Sequence, residues 1–180
     1  MICFLTYRTH YSIQNISDFN LIDVGGQRWE RRNWVKIFEG VTALIFLTAI
    51  SEYDQVLLED GETNRLLESR NLFIEVLKQK AFHNTDIILF LNKKDLFEEK
   101  IKSGTFKKYI TQYGGSPEDS VAAIQYIEKD IFKKAFDNYC AGKTFYCHVT
   151  TATDTSNAEL VFRFIYDMIF EKMLGEIPIS

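Results

Sequence analysis

The stretch that decides the fold is Leu21-Ile22-Asp23-Val24-Gly25-Gly26-Gln27-Arg28, in which a strand, a carboxylate, two glycines and a glutamine follow one another. Residues 19–22 alternate toward a β-branched end, as a strand does. Gly25 and Gly26 can adopt backbone angles that are closed to other residues, which lets an anion approach the main-chain N–H groups. Asp23 at the strand end can hold magnesium directly or through water, and Gln27 can orient an attacking water. Together these features predict a turn that binds a terminal phosphate.

Length and composition limit the classes of protein that fit. With 180 residues, 46% of them hydrophobic, the chain can bury one good core. A net charge of −4 with both signs interspersed argues against general nucleic-acid binding. The cysteines Cys3, Cys140 and Cys147 have no CxxC pairing, so reduced thiols in a cytosolic protein fit better than a disulfide frame. The longest apolar run, Val41 to Ile50, is about half the roughly 20 residues needed to span a bilayer.

Strand-length apolar runs alternate with helical patterns along the chain. The predicted strands are Phe19–Asp23, Ala43–Thr48, Asp86–Asn92 and Phe145–Thr150, and the predicted helices are near Gln27–Phe38, Leu66–Lys80, Val121–Phe136 and Asn157–Leu174. Strands buried on both faces and joined by helical crossovers predict an α/β fold with a mostly parallel sheet and helices on both faces. Tyr11–Ile13 is interpreted as a short edge strand.

A second motif ends the predicted strand at Asp86–Asn92, which runs into Asn92-Lys93-Lys94-Asp95. Open α/β sheets bind ligands at this carboxyl edge. A carboxylate at Asp95 can accept both the ring N1–H and the exocyclic amino group of guanine, a pair that adenine does not offer. On its own the motif is more often a polar exit from a strand, but the glycine turn upstream favours guanine recognition.

A third motif, Thr150-Thr151-Ala152-Thr153-Asp154-Thr155, follows the last predicted strand. The main-chain N–H of Ala152 could donate a hydrogen bond to the 6-oxygen of guanine. The alternative is a Thr-rich turn that caps the next helix. The position of the motif, one helix and one strand after Asn-Lys-x-Asp, favours the base pocket.

From about residue 18 to the end, these motifs resemble the α subunits of heterotrimeric G proteins in order and spacing. Asp23-Val24-Gly25-Gly26-Gln27-Arg28, followed by Glu30-Arg31 and Trp34, is similar to switch II of that family. The run Ser51-x-Tyr53-Asp54 resembles the family's strand-to-helix segment. Residues 161–180 resemble its receptor-contacting helix and tail. The resemblance implies part of a Ras-like P-loop GTPase domain over residues 18–180, and it leaves residues 1–17 unassigned.

The resemblance also implies the roles of individual residues toward GTP or GDP and Mg²⁺. Asp23 would hold magnesium through water, the Gly26 N–H would contact the γ-phosphate, and Gln27 would be catalytic by placing the attacking water. The nucleotide-binding set would be Asp23, Val24, Gly25, Gly26, Gln27, Asn92, Lys93, Lys94, Asp95, Thr151 and Ala152.

The implied partners are a βγ dimer, a G-protein-coupled receptor and an effector enzyme or channel, with no nucleic acid. Trp34 with Arg28, Arg31 and Arg32 would meet βγ, although this basic segment is equally well a solvated surface. The implied location is cytoplasmic, at the inner face of the plasma membrane. The association with the membrane would be indirect, through these partners.

The chain departs from the family pattern because it contains no G-x-x-x-x-G-K-[ST] phosphate loop. Its nearest approach, residues 137–144, has Asp137 in place of the first glycine and is expected to run into a strand. The family's helical insert domain is also missing. Thr9 is a candidate magnesium ligand, but Arg8-Thr9 lies too close to Asp23, so unrelated sequence over residues 1–15 is expected.

Two functions therefore stay open. The first is a guanine-nucleotide-binding signal transducer that hydrolyses GTP. The second is a truncated, non-catalytic module that binds receptor or βγ, and weak or undetectable GTP binding is expected for it. A small Ras-like GTPase is disfavoured by Trp34 and by the long region from Ser116 to Phe136.

Overall fold

A computed structural model describes residues 2–7, 19–24, 41, 43–82, 85–151, 163 and 167, the first two ranges by their backbone. The strands are β1 (Ile2–Tyr7), β2 (Phe19–Val24), β3 (Ala43–Ala49), β4 (Asp86–Asn92) and β5 (Tyr146–Val149). They form one five-stranded sheet in the order β2-β1-β3-β4-β5. The four strands predicted from the sequence are thus found with ends that differ by at most one residue.

Strand direction follows from the pairing. β3 is parallel to β4, and β4 is parallel to β5. β1 is antiparallel to both β2 and β3. β2 and β3 therefore point the same way, so the predicted mostly parallel sheet is confirmed. β1 itself was not predicted, because residues 1–17 were left unassigned, and the edge strand expected at Tyr11–Ile13 lies outside the described residues.

The described α-helices are α1 (Arg65–Leu77), α2 (Lys94–Lys100), α3 (Phe106–Tyr109), α4 (Ser120–Tyr126) and α5 (Lys134–Tyr139). A π-helical segment, Ile127–Lys133, joins α4 to α5 without a break. The single helix predicted at Val121–Phe136 is therefore one continuous helical rod with a π segment inside it. Of the predicted helices, Gln27–Phe38 lies outside the described residues, and within Asn157–Leu174 Arg163 and Asp167 are described as helical.

The main core lies between one face of the sheet and the helices α1 and α5 with the π segment between α4 and α5. Phe46 of β3 contacts Phe73 of α1 edge to face at 5.1 Å between ring centroids, and Phe73 contacts Phe132 of the π segment at 5.5 Å. On the opposite face Ile88 and Phe90 of β4 are also buried. Burial on both faces explains why β4 is a continuous apolar run.

A second aromatic cluster holds the segment that follows β4. Tyr53 contacts Phe97 of α2 and Phe106 of α3 at centroid distances of 5.6 and 5.0 Å. All three rings are fully buried. This cluster fixes α2 against the chain that leaves β3, and so it positions the residues at the start of α2.

Candidate functional site

The candidate site lies at the edge of the sheet where β2, β3, β4 and β5 end. In the register of the ladders Ala49 pairs with Asn92, and Leu91 pairs with Val149. β2 runs in the same direction as β3, so its carboxyl end at Val24 points toward the same edge, level with Phe46 through Ile2 of β1. The carboxyl ends of parallel strands are where open α/β sheets bind ligands. The three predicted motifs therefore leave the sheet at one edge.

Asn92 ties the exits of β4 and β5 together. Its Oδ1 accepts a hydrogen bond from the Lys93 N–H at 2.8 Å and one from the Thr150 hydroxyl at 3.3 Å. Two backbone bonds reinforce this link, from the Lys94 N–H to the Thr150 carbonyl at 3.2 Å and from the Thr150 N–H to the Leu91 carbonyl at 2.9 Å. The ends of β4 and β5, which the predicted base-pocket motifs follow, are thus held side by side.

Lys93 has an unusual backbone. Its φ of 64° is the one positive φ among the described non-glycine residues. A non-glycine residue in this region costs about 1–2 kcal/mol, and such strain concentrates at functional sites. The left-handed residue turns the chain from β4 directly into α2, so Lys94 and Asp95 are the first residues of a helix. The motif Asn92-Lys93-Lys94-Asp95 thus passes from the last residue of β4 into the first turn of α2.

Asp95 is exposed in the first turn of α2. A carboxylate there complements the helix dipole, which is the structural alternative to a ligand-binding role. Across the edge, Thr150 is buried and Thr151 is half-buried directly after β5. The carboxylate proposed to read guanine and the loop proposed to close its pocket therefore belong to neighbouring strand exits.

Glu52, which the sequence did not single out, lies at the centre of the ion pairs at this edge. Its Oε1 accepts a hydrogen bond from Lys93 Nζ at 2.7 Å, and its Oε2 lies 3.3 Å from Arg65 Nε. The run Ser51-x-Tyr53-Asp54 was recognised in the sequence, but Glu52 was its unspecified position. The pattern of one sequence carries no signal that it faces Lys93, because the two are far apart in the chain.

Two grooves open beside this ion pair. One of about 350 Å³ is lined by Ala49, Asn92 and residues of α1, and the other of about 510 Å³ is lined by Gln55 and residues of α2. Glu52 and Lys93 line both grooves. The edge therefore offers open space next to the predicted base-reading residues.

The phosphate half of the predicted site is described only in part. Asp23 and Val24 end β2, and Asp23 lies opposite Cys3 in the register. Gly25, Gly26, Gln27, Ala152 and Thr9 lie outside the described residues. A carboxylate at a strand end suits a magnesium ion held through water. Within the described part of the chain, no cluster of three or more His, Cys, Asp or Glu side chains forms an all-protein metal site.

The neighbouring thiol and imidazole on β5 are structural. Burial, followed by the charge of Glu128, raises the pKa of Cys147 to about 12, and burial lowers the pKa of His148. The His148 ring stacks on Phe90 at 5.6 Å. A thiol that stays protonated at neutral pH is a poor nucleophile, so this pair offers no catalytic centre.

Residues 137–144 do not form a phosphate loop. α5 continues to Tyr139, Gly142 turns the chain with a φ of 84°, and β5 follows at Tyr146. A phosphate loop must lead from a strand into a helix, and here the chain runs from a helix into a strand. None of the helices in the described ranges is long and apolar enough to cross a membrane.

The mostly parallel sheet with its packed helices is an α/β fold of the Ras-like GTPase class. The family model of the G-protein alpha subunit matches residues 6–169, and the chain belongs to this family.

The most similar relatives include three G(o) subunits alpha of guanine nucleotide-binding proteins. Identity is 49% to the protein of Locusta migratoria and 48% to those of Caenorhabditis elegans and Lymnaea stagnalis, in each case over 165 residues. The aligned region covers 92% of this chain and 45% of each relative. The chain thus spans less than half the length of the curated relatives it matches.

Proposed function

We propose that this chain is the guanine-reading part of a G-protein α subunit, which binds GTP or GDP and transmits a receptor signal. The observation that carries the proposal is the hydrogen bond between Thr150 and Asn92, which joins the exits of β5 and β4 at one edge of the sheet. Family membership supports the same function.

The base would be read by complementary hydrogen bonds. The carboxylate of Asp95 accepts the N1–H and the exocyclic amino group of guanine, and the Ala152 N–H donates to the 6-oxygen. The stem of Lys93 lies against the ring, Asn92 helps to read the base, and Thr151 closes the pocket together with Ala152. A site built to hydrogen-bond its ligand in this way rejects an analogue that lacks the partner groups.

Residues 23–27 would bind the phosphate groups of the nucleotide and the magnesium ion. Asp23 would hold Mg²⁺ through water, and the backbone of Val24, Gly25 and Gly26 would contact the γ-phosphate. Gln27 orients the attacking water, which is the step that positions the nucleophile in GTP hydrolysis. Bound magnesium supplies charge neutralisation at the phosphates.

The partners follow from the family. A βγ dimer would contact the segment that contains Trp34, a receptor would contact residues 161–180, and an effector enzyme or channel would respond to the GTP state. Loss of the γ-phosphate releases switch II and ends the signal. These contacts would place the protein at the inner face of the plasma membrane.

The second candidate is a non-catalytic module that keeps the receptor and βγ contacts. Two observations favour it for the polypeptide as given: the sequence has no G-x-x-x-x-G-K-[ST], and residues 137–144 pass from α5 into β5. Without a phosphate cradle, most charge-assisted bonds to the nucleotide are missing. Isothermal titration with a non-hydrolysable GTP analogue and Mg²⁺ distinguishes the two, because micromolar or tighter affinity contradicts the second candidate.

Base recognition is tested by Asp95→Asn. The amide replaces one acceptor with a donor, so it mismatches guanine and matches xanthine, which carries an oxygen at the 2-position. In NMR titrations with millimolar nucleoside diphosphates, the unchanged chain is expected to prefer the guanosine form over the adenosine and xanthosine forms. Asp95→Asn is expected to weaken guanosine binding by about tenfold or more and to gain xanthosine binding.

Glu99→Gln is the matched control for this experiment, because it neutralises an exposed carboxylate on the same helix. It is expected to leave the order of preference unchanged. Equal binding of guanosine and adenosine diphosphates by the unchanged chain would overturn the proposed base pocket.

A further inference from the structure

Glu52 forms an ion pair with Lys93, a side chain of the candidate base pocket. It ends the 3-10 turn that follows β3, and its side chain is 19% exposed. It contacts two cations, Lys93 from the exit of β4 and Arg65 from the start of α1. A single carboxylate therefore connects three separate elements at the carboxyl edge of the sheet.

Lys93 is hydrogen-bonded both through its backbone and through its ammonium group. Its N–H donates to Asn92 Oδ1 at 2.8 Å, and its carbonyl accepts from the Phe97 N–H at 3.0 Å. At the other end its Nζ donates to Glu52 at 2.7 Å. The aliphatic stem between these anchors is stretched from the exit of β4 toward the exit of β3. Long lysine stems cover apolar surface in this way while the ammonium group stays polar.

The negative charge of Glu52 holds the side chains of Lys93 and Arg65 close to each other. Arg65 and Lys93 both approach the same carboxylate, so without it two positive charges would be left side by side. With the neutral amide of glutamine at position 52, repulsion from Arg65 would favour a Lys93 side chain that extends into water. The other ion pairs of α2 cannot compensate, since Lys100 pairs with Asp54 and Lys94 with Glu98.

We propose that Glu52 is a positioning residue that fixes the direction of the Lys93 side chain, so that its stem forms a preformed flat wall for a purine base. The part that concerns the base rests on the proposed function, and the fixing of Lys93 does not. The wall would be set by contacts within the chain, because Glu52 and Lys93 both belong to the protein itself. Preorganisation of this kind raises affinity by removing the entropy cost of ordering a flexible side chain on binding.

The first measurement is independent of nucleotide. The ammonium group of Lys93 is observed by ¹H–¹⁵N NMR in the full chain and assigned by its loss in Lys93→Met. A hydrogen-bonded ammonium is expected to give a resolved, slowly exchanging signal that disappears in Glu52→Gln and persists in Glu99→Gln. Glu99 is an exposed residue that lines the same 510 Å³ groove, so its variant removes an equal charge from the same place.

The second measurement is affinity for guanosine diphosphate. Glu52→Gln is expected to weaken binding by about tenfold, as for loss of one charge-assisted contact, whereas Glu99→Gln stays within about twofold. Amide spectra of both variants report whether the chain stays folded, and Glu52→Asp, which restores the charge on a shorter side chain, is expected to recover part of the affinity.

The outcomes separate this inference from the proposed function. An unchanged Lys93 signal in Glu52→Gln overturns the inference whatever the nucleotide does. Equal affinity of Glu52→Gln and the unchanged chain overturns the role toward the base and leaves the proposed function standing. If the unchanged chain binds no guanosine nucleotide, the proposed function fails, and the ammonium signal alone then decides whether Glu52 positions Lys93.

Discussion

At the scale of single residues, Gly115 shows how closely the chain after α3 is packed. The ring of Tyr113 is buried and turns back against Gly115, so that a Cβ added at Gly115 would lie 2.9 Å from Tyr113 Cε2 and closer still to its Cζ and hydroxyl. The neighbouring Gly114 has open space at the same position. A methyl group would therefore clash with Tyr113 at Gly115 and would meet no atom at Gly114.

Gly115→Ala is therefore expected to destabilise the protein by about 1–3 kcal/mol, the usual cost of overpacking a filled site. Gly114→Ala serves as the matched control and is expected to change stability by less than about 0.5 kcal/mol. Urea unfolding followed by tryptophan fluorescence measures both. Similar midpoints for the two variants would contradict the observed packing of Tyr113.

Cys147 gives a second prediction at this scale. Burial raises the pKa of this thiol from 9.0 to about 12, so the folded state keeps a proton that the unfolded state loses at lower pH. Its contribution to stability is fully present below pH 9.0 and falls as the pH rises toward about 12. At pH 8, iodoacetamide is expected to modify Cys147 only after denaturant is added. Rapid modification in the folded chain would contradict this burial.

At the scale of elements, the start of α1 depends on Asn64. The Asn64 Oδ1 accepts from the N–H groups of Leu66 and Leu67 at 3.0 and 3.1 Å, and its Nδ2 donates to the Tyr53 carbonyl at 2.5 Å. One side chain thus caps the helix and fastens it to the segment after β3. That segment also carries Glu52, so the cap supports the candidate site.

Asn64→Ala is expected to cost about 2 kcal/mol, because it removes both the cap and the bond to Tyr53. Asn64→Ser keeps a capping oxygen and loses only the bond to Tyr53, so it is expected to cost about 1 kcal/mol. Thermal unfolding by circular dichroism measures the difference. Equal costs for the two substitutions would show that the cap contributes nothing.

The sequence predicted some elements closely and missed others for physical reasons. β4 was predicted with its observed bounds, since a run buried on both faces is apolar throughout. α2 was missed for two reasons. It has seven residues, which are too few for a helical period to stand out. It also begins after Lys93, whose positive φ is not marked by a glycine in the sequence. The residues around this turn also bond to partners distant in the chain, Asn92 to Thr150 and Lys93 to Glu52.

In the candidate site, too, local sequence patterns were predictable and contacts between distant residues were not. The position of Asn92, Lys93 and Asp95 at the end of a buried strand could be predicted, because it follows from a local sequence pattern. That pattern does not predict the hydrogen bond between Thr150 and Asn92 or the ion pair between Lys93 and Glu52. Both contacts depend on which strands are neighbours in the sheet.

At the scale of the whole molecule, the arrangement of the sheet depends on β1. This strand lies between β2 and β3 and is antiparallel to both, so Cys3 pairs with Asp23 on one side and Ile45 on the other. β2 has no direct ladder to β3, and its place in the sheet is set through β1. The carboxyl end of β2, with Asp23 and Val24, therefore reaches the candidate site through a segment that the motifs did not predict.

Hydrogen exchange tests this arrangement directly. A strand flanked on both sides has its amide hydrogens in ladders, so the amides of residues 2–7 are expected to exchange as slowly as those of β4, which lies between β3 and β5. The turn around Leu58, whose side chain is 99% exposed, provides the fast-exchanging reference in the same molecule. Exchange over residues 2–7 as fast as at this turn would mean that β1 is not part of the sheet. In that case no described strand would connect β2 to β3, and the end of β2 at Asp23 and Val24 would lose its fixed position relative to Asn92 and Asp95.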